Sequence, residues 1–97
     1  METNSSAEAV GRRIRILREA KGWPGQGPFA ALLDVSQSRL SNWETQGFMI
    51  PPDMAVKLCS LTGATTDYIY RGDLSGLSAS LIQAIKAREE DLARKPA

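Results

Sequence analysis

Histidine is absent from the sequence and cysteine occurs once, at Cys59. A lone thiol excludes a disulfide within the chain and fits a reducing compartment. Without histidine there is no imidazole base, and no Cys/His cluster of the kind that holds zinc is available. No glycine-rich phosphate loop and no nucleophile–base set takes their place. These absences argue against an enzyme and predict neither a metal nor a cofactor. Long hydrophobic runs are missing too. Nothing approaches the ~20 apolar residues that span a bilayer, and the polar start of the chain does not resemble a secretory leader. The expectation is a cytoplasmic protein without a membrane partner. Charge of one sign is not in excess either: Lys and Arg number 12 against 11 Asp and Glu, a net charge of +1. The whole-chain balance therefore points neither to nor away from nucleic acid. No segment alternates apolar and polar residues as a half-buried strand would.

What is present is the composition of an ordinary globular protein, 42% apolar and 24% charged over 97 residues, which predicts one domain. Its basic residues are clustered: Arg12, Arg13, Arg15, Arg18 and Lys21 lie close together with only Glu19 opposing them. These arginines form either a solvated face or a phosphate-contacting one. Residues 1–7 read as a flexible tail. From Glu8 onward Val10, Ile14 and Leu17 recur at helical spacing, and Gly22 suits the helix end. Pro24, Gly25, Gly27 and Pro28 then interrupt any helix, so a short second helix is expected from about Pro28 to Leu33. Asp34 and Val35 make a tight turn. Ser36 is a good N-cap for a third helix over residues 37–45. After a loop ending in Pro51 and Pro52, a fourth helix over 53–62 places Met54, Leu58 and Leu61 on one face. Thr65 or Thr66 opens a short fifth helix. A last helix over 78–93 carries Leu81, Ile85 and Leu92, with Leu77 just before it. The fold class is all-α.

The informative stretch is 29–44. Two short helices are joined by a turn too tight to be a free linker. Leu40 and Trp43, three residues apart, share a face and anchor the third helix in the core. The opposite face then presents Gln37, Ser38, Ser41 and Asn42, uncharged hydrogen-bonding side chains short enough to approach base edges. Gln and Asn can pair in bidentate fashion with adenine in the major groove, and Ser serves several bases. That is the arrangement of a recognition helix. Arg39 lies beside this face and suits a phosphate.

The chain here resembles the phage repressor and Cro-like helix-turn-helix proteins, the XRE family, over about residues 8–73. The residues that carry the resemblance are Ala30, the Val35 and Ser36 turn, Leu40, the Trp43 and Glu44 pair, Pro51, the run 58–63 and the segment 66–69. The resemblance implies a five-helix domain over 8–73 that binds operator DNA, usually as a dimer, with residues 74–97 as an added C-terminal helix. It implies base or phosphate contacts by Gln26, Ser36, Gln37, Ser38, Arg39, Ser41 and Asn42, with Gln26 near the helix-two start that grips a phosphate. It also implies a structural ion pair between Arg18 and Glu44. Phe48, Met49 and Ile50 are apolar where relatives often carry basic residues.

Two functions are therefore in play. The first is a sequence-specific transcription regulator, a repressor that binds a palindromic site on double-stranded DNA as a homodimer. The second is a protein-interaction module on the same scaffold, using the loop 48–50 and the last helix to hold a protein partner. The apolar stripe of the last helix either folds back on the domain or pairs with a second chain, because an isolated helix of that length is marginal.

Overall fold

The computed structural model describes residues 4–94. They form six helices: α1 (Ala7–Ala20), α2 (Gln26–Leu33), α3 (Gln37–Thr45), α4 (Pro52–Thr62), α5 (Thr66–Arg71) and α6 (Ala79–Arg94). No strand occurs among the described residues. Helix α1 is the central element, and α3, α5 and α6 all pack on it, while α2 bridges α3 and α4. The expected stripe of Val10, Ile14 and Leu17 is buried, joined by Ile16, and meets Phe29 and Leu33 of α2, Leu40 and Trp43 of α3, and Leu58 and Ile69 further on. Full burial of each such side chain contributes about 1.5–3 kcal/mol.

Local chemistry sets the ends of the helices. The Ser6 hydroxyl accepts the Ala9 N–H at 3.1 Å, so α1 starts at Ala7 and the expected tail ends sooner than residue 7; residues 1–3 of it lie outside the described residues. Helix α2 begins two residues before the expected Pro28. Gly25 is its N-cap, so Gln26 and Gly27 form the first turn, and Pro28 sits where a helix has no use for its missing N–H. Asp34 takes the left-handed conformation, φ 59, that turns the chain between α2 and α3. The Ser36 hydroxyl accepts the Arg39 N–H at 3.1 Å, and α3 occupies the expected 37–45.

The apolar face of α4 differs from the expected one. Leu61 is exposed, whereas Thr62 is buried beside Met54, Ala55 and Leu58. A spacing of four, 54–58–62, faces the core. Thr62 tolerates burial because its hydroxyl donates to the Leu58 carbonyl at 2.8 Å and accepts the Ala64 N–H at 3.3 Å. In α5 the Thr65 hydroxyl is the cap, accepting from Tyr68. Burial pushes the Tyr68 phenol up to about 12, which keeps it neutral.

Helix α6 folds back on the domain. Leu77, Leu81 and Ile85 are buried within the one chain, so their stripe is already covered. Arg88 ties the helix down, donating to Glu19 of α1 at 3.0 Å and pairing with Asp91 at 3.2 Å. Glu19 also accepts from Arg15 at 3.2 Å. Partial burial alone would raise the Glu19 carboxyl, but hydrogen bonds from Arg15 and Arg88 outweigh it and hold the group below its ordinary value of 4.5. An unfolded chain therefore binds this proton more readily than the folded one. The contribution of Glu19 is complete above the ordinary carboxylate range and is lost as pH falls through the lower folded value. Acid unfolding of Glu19→Gln, followed by circular dichroism, should show a shallower loss of stability over that window than wild type; parallel profiles would refute the assignment.

Candidate nucleic-acid interface

The candidate surface is built on α3, whose inner face is fixed first. Leu40 is fully buried and Trp43 nearly so. Behind them Glu44 gathers three elements. Arg18 of α1 donates to both of its carboxylate oxygens, Nε to Oε2 at 2.9 Å and Nη2 to Oε1 at 3.1 Å. Gln26 of α2 donates its side-chain amide to Oε1 at 3.0 Å. The remaining Arg18 nitrogen, Nη1, donates to the Trp23 carbonyl at 2.6 Å. The implied Arg18–Glu44 pair is thus present, two-pronged, and buried with side-chain exposures of 4% and 1%. It sets the angle at which α3 leaves the domain.

With the inner face fixed, the outer face is determined. Gln37, Ser38, Ser41 and Asn42 come together on it and line one open concavity with Gln26, Gln46 and Phe48. None of the seven side chains is charged, and six are polar. Among the described residues the Gln37 and Asn42 side chains make no internal hydrogen bond, so their donors and acceptors are available. Ser41 and Thr45 share a hydroxyl contact at 3.3 Å, which leaves Ser41 partly engaged. Ser36 and Arg39, also expected to touch DNA, lie outside the lining. The Ser36 hydroxyl accepts the Arg39 N–H as the cap of α3 and keeps its own O–H to donate. The Arg39 guanidinium carbon lies 5.2 Å from the centroid of the Trp43 ring, a cation–π geometry that holds the charge beside the concavity.

The end of α3 is organised by Gly47. At φ 76 it reverses the chain so that the Phe48 N–H also reaches the Asn42 carbonyl at 3.2 Å, the acceptor already taken by the Gln46 N–H at the end of the helix. The loop that follows is split. Phe48 and Met49 are 60% and 44% exposed, while Ile50 is 1% exposed and belongs to the core. The model of the helix-turn-helix family matches residues 14–69, more than half of the chain. The chain belongs to the helix-turn-helix family. It is of the XRE type, a family of DNA-binding transcription regulators. No curated protein and no solved structure matches it. The match covers α2 and α3 and stops short of α6, which is an addition to the helix-turn-helix domain. No described helix is long and apolar enough to cross a membrane.

Two structural facts about this helix-turn-helix domain escape a reading of its sequence. One is the use of the arginines on α1. Arg15 and Arg18 pair with Glu19 and Glu44, and Arg13 donates to the Ile69 carbonyl at the end of α5 at 3.1 Å. Arg13 and Arg18 are thus committed to the protein itself and Arg15 is engaged by an ion pair at the surface, while Arg12, Arg15 and Lys21 are exposed. The other is Gly11. A Cβ there would overlap the Trp43 carbonyl oxygen and stand 2.8 Å from that of Glu44. Helices α1 and α3 touch backbone to backbone at this point. A glycine inside an otherwise good helix is the one sequence signal for such a contact.

Proposed function

We propose that the protein is a repressor that binds a palindromic operator as a homodimer, with α3 lying in the major groove. The observation that carries this reading is the uncharged polar concavity on α3, held in place by a buried ion pair and open to solvent. Gln37, Ser38, Ser41 and Asn42 read base edges, where amide and hydroxyl groups match the donor and acceptor pattern of the pairs. Arg39 and the second amide proton of Gln26 serve phosphates, which position the domain without reading sequence. Two copies related by a two-fold axis would place their α3 helices about 34–36 Å apart, in successive major grooves. Occupancy of the site then excludes polymerase, with no chemical step. The protein-interaction reading is weakened by Ile50 and by the covered stripe of α6, which together remove the continuous apolar surface it would need.

The test is selection from a random duplex library at two salt concentrations. Recovery of a two-fold symmetric site is the expected result, and binding that selects nothing and vanishes with salt would refute base reading. On the selected site Asn42→Ala should cost about 1–3 kcal/mol and relax preference at one position. Arg39→Ala should weaken binding to all sequences alike and lower the salt slope by about 1. Indifference of DNA binding to both substitutions would remove α3 from the interface.

A further inference from the structure

We propose that Phe48 is a specificity-determining residue that packs its ring on the 5-methyl group of a thymine in the operator. The proposal rests on the reading of α3 as the base-contacting helix and adds to it a contact from outside that helix. Phe48 is the one apolar residue among those lining the concavity. It is 60% exposed, yet the chain returns to the core two residues later at Ile50. The exposure is not that of a free loop. The Phe48 N–H donates to the carbonyl of Asn42 at 3.2 Å, and Gly47 at φ 76 aims the chain back along α3. The ring is therefore carried on the same rigid support as the Asn42 and Ser38 side chains.

The chemistry of the major groove selects the occupant. Its base edges present donors and acceptors, and the thymine methyl is the apolar group among them. A surface of hydrogen-bonding side chains with one apolar member is complementary to base edges that include one thymine. A protein partner would instead call for a wider apolar surface, and Ile50 is not available to provide it.

The experiment uses the full chain and the duplex it selects. Each thymine of a half-site is replaced in turn by 2′-deoxyuridine, which removes only the methyl group. Wild type should lose roughly fourfold in affinity at one position, the worth of one buried methyl. Phe48→Ala should bind the unmodified duplex more weakly by a similar factor and be indifferent to the replacement at that position, while Phe48→Leu keeps part of the sensitivity. The ring is exposed, so all three proteins should melt together. Indifference of wild type to every replacement overturns the proposal, as does a Phe48→Ala protein that keeps the wild-type sensitivity. A chain that selects no duplex overturns the base-reading function and this contact with it, whereas a selected site without a methyl effect overturns this contact alone.

Discussion

Glu44→Ala should cost about 3–5 kcal/mol, the usual cost of leaving one member of a buried ion pair behind. Domains of this kind unfold with only about 5–15 kcal/mol, so the variant is expected to be largely unfolded under mild denaturant. The size follows from burial. Arg18 would keep its charge in a site where its side chain is 4% exposed. Its remaining carboxylate neighbour, Glu19, is 3.8 Å away and already shared with Arg15 and Arg88. Gln26 would lose its acceptor at the same time. Urea unfolding at neutral pH measures the effect. A loss below about 1 kcal/mol is the range of exposed pairs and would show that the site is wet. Replacing both partners at once, Arg18→Met with Glu44→Leu, removes the orphaned charge and should recover much of the loss, as apolar replacements of buried pairs often do. The recovered protein should still bind DNA poorly, because the pair that orients α3 and the anchor of Gln26 are gone.

The candidate recognition surface was legible because its signals are local. Ser36 caps, Leu40 and Trp43 anchor, and the alternate face follows from helical spacing; α3 accordingly falls on 37–45. Signals that depend on a partner in space were not legible. The start of α2 was hidden because Gly25, Gly27 and Pro28 read as breakers, although a glycine N-cap and a proline in the first turn are compatible with a helix. Leu61 and Thr62 compete for one side of α4, and hydropathy favours Leu61. The winner is Thr62, through two hydrogen bonds to its own backbone neighbourhood. The loop 48–50 reads as one apolar patch, yet Gly47 and the entry to Pro51 send Phe48 outward and Ile50 inward. Whether the stripe of α6 is covered by its own domain depends on where α1 lies. That is a long-range fact, settled by the contact of Leu81 and Ile85 with the core and by Arg88 with Glu19.

Gly11 is the strongest case of a position set by its neighbour, and it yields the second large prediction. In an exposed helix interior Gly→Ala is favourable by about 1 kcal/mol. At Gly11 the sign should reverse. The atoms a methyl would meet are the carbonyl oxygens of Trp43 and Glu44 and the Glu44 carbonyl carbon. They are backbone of α3 and cannot rotate aside as a side chain would. Helices α1 and α3 must separate, and overpacking of this kind costs about 1–3 kcal/mol, occasionally more. Gly27→Ala supplies the contrast. A Cβ there meets the Gln37 side-chain oxygen at 3.6 Å, an ordinary contact, and no positive φ is involved, so that variant should be stabilised by about 0.4–1 kcal/mol. Separation of α1 from α3 also moves the rod that carries Gln37, Ser38, Ser41 and Asn42, and the Glu44 hub lies at the point of collision. Gly11→Ala should therefore lose DNA affinity even where it is fully folded, because the base contacts proposed for α3 would depend on a placement that the glycine permits. Equal stability of the two alanine variants would mean that α1 and α3 can part without cost. Full affinity in a destabilised Gly11→Ala would mean that the separation of α1 from α3 leaves the outer face of α3 competent to bind.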